Sequence, residues 1–126
     1  MKTFKEKVAV ITGAGSGMGR YLAVLLAKDG ADVCICDVNQ ETLDETAEML
    51  RKYNVSVSSH LLDVSDKESI ESLPQKVIDH HGKIDLVFNN AGVTTGSHFK
   101  DMEEENCNWV MGINFDGVIN STRAFI

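Results

Sequence analysis

The sequence predicts an α/β domain built on a doubly wound parallel sheet. Short continuous apolar runs, the pattern of strands buried on both faces, alternate four times with stretches whose apolar residues recur at helical spacing. Each intervening stretch is long enough to carry the chain back across a sheet to a parallel neighbour. No repeat, low-complexity tract or Pro/Gly-rich linker interrupts this order, so residues 1–126 are expected to form one domain.

The elements can be taken in turn. Val8-Ala9-Val10-Ile11 is an apolar run that meets a glycine cluster at Gly13, which suits a buried first strand. From Gly19 to Lys28, Leu22, Ala23, Leu25, Leu26 and Ala27 mark a helix, and Asp29-Gly30 is its stop signal. Asp32-Val33-Cys34-Ile35-Cys36 reads as a second buried strand ending at Asp37. Asn39 is placed to cap a helix from Gln40 to about Arg51, with Leu43, Ala47 and Leu50 on one face. Val55, Val57, Ser59 and Leu61 alternate along a third strand that ends at Asp63. Ser65 and Glu68 have capping-box spacing for the next helix, and Pro74 inside it is expected to kink or restart the helix. Ile84 to Phe88 gives a fourth buried strand, running into Asn89-Asn90-Ala91-Gly92.

Composition narrows the function. The formal net charge is −7 and no run of Lys or Arg exceeds two, so the basic footprint that nucleic-acid binding requires is missing. No stretch approaches the ~20 apolar residues of a membrane span. The apolar run after Lys7 is too short for a signal peptide, so a cytoplasmic protein is expected. Cys34 and Cys36 sit two apart in an apolar strand and point the same way, as reduced core thiols do, and no metal site is expected.

The chemistry gathers where strands end. Gly13-Ala14-Gly15-Ser16-Gly17-Met18-Gly19 lies between the first strand and the first helix. A glycine-rich turn there lets backbone N–H groups approach a pyrophosphate, whose charge the helix N-terminus favours. The spacing is TGxxxGxG, on Thr12, Gly13, Gly17 and Gly19, and not GxGxxG. Asp37 lies eighteen residues after Gly19 and ends the second strand. A carboxylate there accepts hydrogen bonds from ribose hydroxyls and repels a 2′-phosphate. Neither Ser16 nor Val38 supplies a cation to hold that phosphate, so NAD is expected over NADP. Asp63-Val64 and Asn89-Asn90-Ala91-Gly92 follow the third and fourth strands. In an open parallel sheet, ligands bind beyond these carboxyl ends.

Taken together, TGxxxGxG, an Asp after the second strand, Asp-Val after the third and Asn-Asn-Ala-Gly after the fourth resemble the short-chain dehydrogenase/reductase family. Trp109 and Ile113-Asn114-Phe115-Asp116-Gly117-Val118 are similar to its fourth-helix pattern, and the likeness runs from about Lys5 to Ile126. The resemblance implies a Rossmann-like sheet with strand order 3-2-1-4, here truncated after the fourth strand and within the following helix. It implies that the turn, with Gly13, Ser16, Gly17, Met18 and Gly19, carries the pyrophosphate, and that Asp37 holds the adenosine ribose. Asp63 and Val64 would meet the adenine, and Asn90 and Gly92 would line the cofactor toward its nicotinamide. Asn114 matches the catalytic-site Asn that holds a water in a proton relay.

One departure matters. The family's Ser and its Tyr-x-x-x-Lys follow the fourth helix, and neither Tyr21 nor Tyr53 starts such a motif, since Leu25 and Val57 occupy the Lys positions. His60, His80 and His81 read as structural or surface residues. The expectation is therefore the cofactor half of an NAD-dependent oxidoreductase, itself inactive. The complete protein would move hydride to or from a small carbonyl or secondary alcohol and would be a homo-oligomer. A naturally shortened, non-catalytic dinucleotide- or partner-binding module remains an alternative. So does an unrelated nucleotide-binding α/β domain, such as part of a nucleoside-diphosphate-sugar enzyme.

Overall fold

The computed structural model describes residues 4–90 and 124–125. Strands and helices alternate strictly: β1 (Val8–Thr12), α1 (Gly17–Lys28), β2 (Asp32–Asp37), α2 (Gln40–Leu50), β3 (Val57–Leu61), α3 (Lys67–His81) and β4 (Leu86–Phe88). The strands form one parallel sheet in the order β3-β2-β1-β4. Ile11 pairs with Ile35 on one side and Phe88 on the other, and Asp37 pairs with Leu61. The carboxyl ends of all four strands therefore meet at one edge.

The two-residue alternation of a strand explains the layers. Ala9 and Ile11 of β1, with Val33 and Ile35 of β2, face one core closed by Ala23, Leu26 and Ala27 of α1 and by Leu43 and Leu50 of α2. Val8 and Val10, with Cys34 and Cys36, face a second core closed by Ile70, Leu73 and Val77 of α3. Because β1 is covered on both faces, all five of its residues are buried, which is why it reads as a continuous apolar run. Asp85 extends the pairing of β4, its N–H donating to the Val8 carbonyl while its carboxylate accepts the Val8 N–H at 2.9 Å. That bond and the Lys83 ammonium hold the Asp85 carboxyl below the usual carboxylate range.

The ends of the helices follow local chemistry. Asn39 caps α2 by accepting the Thr42 N–H at 3.1 Å, and Gly30 and Gly82 take the positive φ that closes α1 and α3. Four boundaries shift from expectation: α1 starts at Gly17, one half-turn before Gly19, β3 runs from Val57 to Leu61 and not from Val55 to Asp63, and β4, half-buried, starts at Leu86 and not Ile84.

One local expectation about α3 needs correction and another is narrowed. Ser65 does not form a capping box with Glu68, because its hydroxyl donates to Asp63 at 2.7 Å. Asp66 is the cap, accepting the N–H groups of Glu68 and Ser69 and the Ser69 hydroxyl. A carboxylate offers two oxygens and a charge that the helix N-terminus favours, so it displaces the neighbouring serine. Nor does Pro74 restart the helix, which is assigned without interruption from Lys67 to His81. An interior proline costs roughly 3 kcal/mol, whereas burying Ile70, Leu73 and Val77 contributes about 1.5–3 kcal/mol each, so packing outweighs the lost bond.

The capping assignment is open to direct test in a denaturant melt. Asp66→Ala is expected to cost about 1 kcal/mol of stability, and Ser65→Ala less than half of that. The reverse ranking would restore the capping box.

Candidate functional site

The turn from Gly13 to Ser16 leaves β1 at the carboxyl edge of the sheet and enters α1 beside β2 and β4. Its geometry depends on two glycines. A Cβ at Gly19 would lie 2.1 Å from the Gly13 carbonyl oxygen and 2.6 Å from the Asn90 side-chain nitrogen, so any other residue would push α1 off the end of β1. Gly17 has φ +57, and a Cβ there would meet nothing within 4 Å. The first position is closed by backbone, and the second opens outward.

Ser16 is the N-cap of α1, yet its side chain makes no capping bond. The backbone N–H groups of Ser16, Gly17 and Met18 find no acceptor among the described residues. Ser16 and Gly17 are exposed and Met18 is 72% exposed, although methionine is ordinarily a core residue. The start of α1 thus offers uncapped donors and the positive end of a helix dipole, with an apolar side chain beside them. Such a surface fits an anionic group with a flat or apolar extension.

Asp37 stands next to this turn. Its Oδ2 accepts the Gly15 N–H at 2.8 Å, and its Oδ1 accepts the N–H groups of Val38 at 2.8 Å and Asn39 at 3.2 Å. A carboxylate has about four acceptor sites, so three backbone donors orient it and leave room for a hydroxyl. Asn90 lies on the other flank of the turn. Its N–H donates to the Thr12 hydroxyl at 3.1 Å and its side-chain amide to the Gly13 carbonyl at 3.3 Å. These bonds tie the end of β4 to the turn. Asp63 is exposed and closes a tight turn on the Ser65 N–H at 2.9 Å, while Val64 is buried beneath α3. The Leu62 N–H donates to the Asp37 carbonyl, which joins this segment to the same edge. The fold therefore brings Gly13, Ser16, Gly17, Met18, Gly19, Asp37, Asp63, Val64 and Asn90 to one edge. Gly92 and Asn114 lie outside the described residues.

Arg20 and Thr46 escaped the sequence reading. The Arg20 guanidinium donates from Nε to the Thr46 hydroxyl and from Nη2 to the carbonyls of Gly15 and Thr42 and to the Glu45 carboxylate. Thr46 is fully buried and donates to the Ala14 carbonyl at 2.8 Å. The available signal was a hydroxyl residue on the same helical face as Leu43 and Leu50, where a buried polar group requires a partner.

A second polar cluster lies under α3 and away from the turn. Cys34, Cys36, Ser58 and His60 gather there with His81, whose ring nitrogen meets the Ser58 hydroxyl at 2.8 Å. The hydrogen bond to Cys34, and then burial, push the Cys36 thiol well above its usual range, so it is an inert core thiol. No group of three or more acidic, His or Cys residues among those described could hold a metal ion. Burial first, and then His80, hold the His81 imidazole below its usual 6.5. Its neutral form is favoured in the folded chain, so its contribution to stability is complete above 6.5 and is lost as pH falls below that value through the folded one. The unfolding midpoint should therefore fall between about pH 7 and pH 5, and His81→Gln should flatten that part of the profile. An unchanged slope in the variant would remove His81 as its source.

Comparison with known proteins agrees with this fold. The family model for short chain dehydrogenase matches residues 7–126. Among curated relatives, the EphD oxidoreductase of Mycobacterium tuberculosis is 37% identical over 97% of this chain and 21% of its own length. The FabG 3-oxoacyl-acyl-carrier-protein reductase of Thermotoga maritima is 35% identical over 95% of this chain and 49% of its own. Among solved structures, a short-chain dehydrogenase/reductase of Burkholderia phymatum in complex with NAD superposes with a TM-score of 0.93 at 38% identity, covering 99% of this chain and 44% of that one. An NAD+-bound xylitol dehydrogenase gives 0.92 at 31% identity, covering 98% and 48%. The chain thus spans about half, or less, of the length of these relatives. It belongs to the short-chain dehydrogenase family.

Proposed function

We propose that the chain binds a nicotinamide dinucleotide, NAD in preference to NADP, as the cofactor half of an oxidoreductase. The observation that carries this reading is the uncapped start of α1, with open space at Gly17, one turn away from an oriented carboxylate on Asp37. The N–H groups of Ser16, Gly17 and Met18 would hold the pyrophosphate, and Asp37 would accept from the ribose. A 2′-phosphate would face that carboxylate with no cation to offset it, since Val38 and Ser16 are neutral. Arg20, on the flank of the turn, is already directed to two carbonyls and Glu45. Asp63 and Val64 would meet the adenine, while Asn90 and Gly92 would line the path toward the nicotinamide. The bound cofactor would supply or accept the hydride.

In the complete protein, the partner would be a small carbonyl compound or secondary alcohol. Asn114 would position a water in the proton relay, and the Ser, Tyr and Lys of the family would come from sequence outside this chain. That protein would be a cytoplasmic homo-oligomer with no nucleic-acid or membrane role. No described helix is long and apolar enough to cross a membrane.

Calorimetry with NAD and NADP tests the cofactor assignment. NAD should bind at least about tenfold more tightly, and Asp37→Ala should weaken NAD and narrow the difference. Equal affinities in the unmutated chain would remove Asp37 from the ribose site. In a separate assay, the chain should turn over no carbonyl with NADH. Turnover that copurifies with the chain and vanishes with Gly17→Trp would show that chemistry resides within these residues.

A further inference from the structure

We infer that Thr46 and Arg20 are positioning residues that set cofactor discrimination through Asp37, by one unbroken chain of hydrogen bonds. The inference rests on the reading of Asp37 as the ribose acceptor. The chain starts at the Arg20 guanidinium, whose Nε–H donates to the Thr46 hydroxyl at 2.9 Å. That hydroxyl has a single proton, and the Ala14 carbonyl at 2.8 Å takes it ahead of the Thr42 carbonyl at 3.2 Å. The Ala14 carbonyl and the Gly15 N–H are the two ends of one peptide group. The Gly15 N–H completes the path by donating to Asp37 Oδ2 at 2.8 Å.

Every link points the same way, from cation to anion. Bonds in such a series polarise one another, most strongly where water cannot enter. Thr46, the middle link, is fully buried, so no solvent molecule stands in for its hydroxyl. The Ala14–Gly15 peptide is held at both ends, its carbonyl by Thr46 and its N–H by Asp37. A Cβ at Gly15 would lie 2.6 Å from the Thr42 hydroxyl and 2.8 Å from Asp37 Oδ2, so the carboxylate packs directly on this backbone. Val38 and Asn39 hold Oδ1, and the Gly15 bond fixes Oδ2 against them, so the carboxylate keeps one rotation and its remaining acceptor site faces one direction. Arg20 acts on the adjacent peptide as well: Nη2 holds the Gly15 carbonyl, whose peptide partner is the Ser16 N–H at the start of α1. Recognition of the ribose and presentation of the first phosphate donor thus share one guanidinium.

A purely structural role predicts something different. If Thr46 only fastened α2 to the turn, its loss would weaken NAD and NADP alike. The test is the affinity of the intact chain for each cofactor. Thr46→Val replaces the hydroxyl by a methyl of the same size; it should weaken NAD about tenfold and NADP less than about twofold. Thr46→Ser, which keeps the hydroxyl, should retain the unmutated ratio. In an Asp37→Ala background, Thr46→Val should no longer affect NAD, because its route of action is gone. Should Thr46→Val fail to fold, Arg20→Lys provides the same reading: it keeps the charge but loses the fork that reaches Thr46 and Gly15 together, so the ratio should fall. Equal weakening of both cofactors, or undiminished weakening of NAD in the Asp37→Ala background, would overturn the inference. Failure of the Asp37 assignment itself is distinguishable, because the unmutated chain would then bind NAD and NADP equally.

Discussion

The Gly13 carbonyl and the Gly19 backbone come so close that no side chain fits between them, and this contact determines how the chain leaves β1. It directs the axis of α1 so that Ala23, Leu26 and Ala27 reach the first core while the helix start stays at the carboxyl edge. Asn90 reaches the same Gly13 carbonyl from the end of β4. One carbonyl is therefore where β1, α1 and β4 converge. A small displacement there would move a core helix, a strand end and the uncapped donors together, which is why the glycine requirement is steric and not a matter of flexibility alone.

The two faces of the sheet carry separate polar clusters. On the α1 and α2 side, the buried polar atoms of Thr46 and Arg20 run toward the turn and Asp37. On the α3 side, Ser58, His60, His81 and the two thiols form a cluster whose side-chain hydrogen bonds among the described residues do not reach Asp37, although the Cys36 carbonyl accepts the Ala14 N–H of the turn. In the second cluster, burial holds the His81 imidazole below its usual range, whereas the first fixes the Asp37 carboxylate through the Gly15 N–H. Each centres on one buried hydroxyl, Thr46 in the first and Ser58 in the second, with half-buried partners, and their connectivity tells them apart. Family membership is compatible with many substrates, because a fold of this type positions a cofactor and leaves the substrate to loops elsewhere.

Much of the architecture was legible because it follows from period and punctuation. Continuous apolar runs mark strands covered on both faces, and Asn39 and Gly30 act through their own backbone neighbourhoods. The cap of α3 was misread because Ser65 and Asp66 are adjacent candidates, and the choice depended on Asp63 capturing the serine hydroxyl. The helix continues through Pro74 because propensity is local and the burial of Ile70, Leu73 and Val77 is not.

By itself, the sequence determined the alternation of elements, the glycine turn, the carboxylate after β2 and, through their combination, the family. Those features are encoded in residue type and spacing, which survive as a linear pattern. Only the tertiary structure decided which polar atoms meet. That Thr46 joins Arg20 to the Ala14 carbonyl, and that the Gly15 N–H then reaches Asp37, depends on α2 lying against the turn across 22 to 32 positions of sequence. Hydrogen bonds require their partners within about 3 Å and in line, and no periodicity in a chain specifies that.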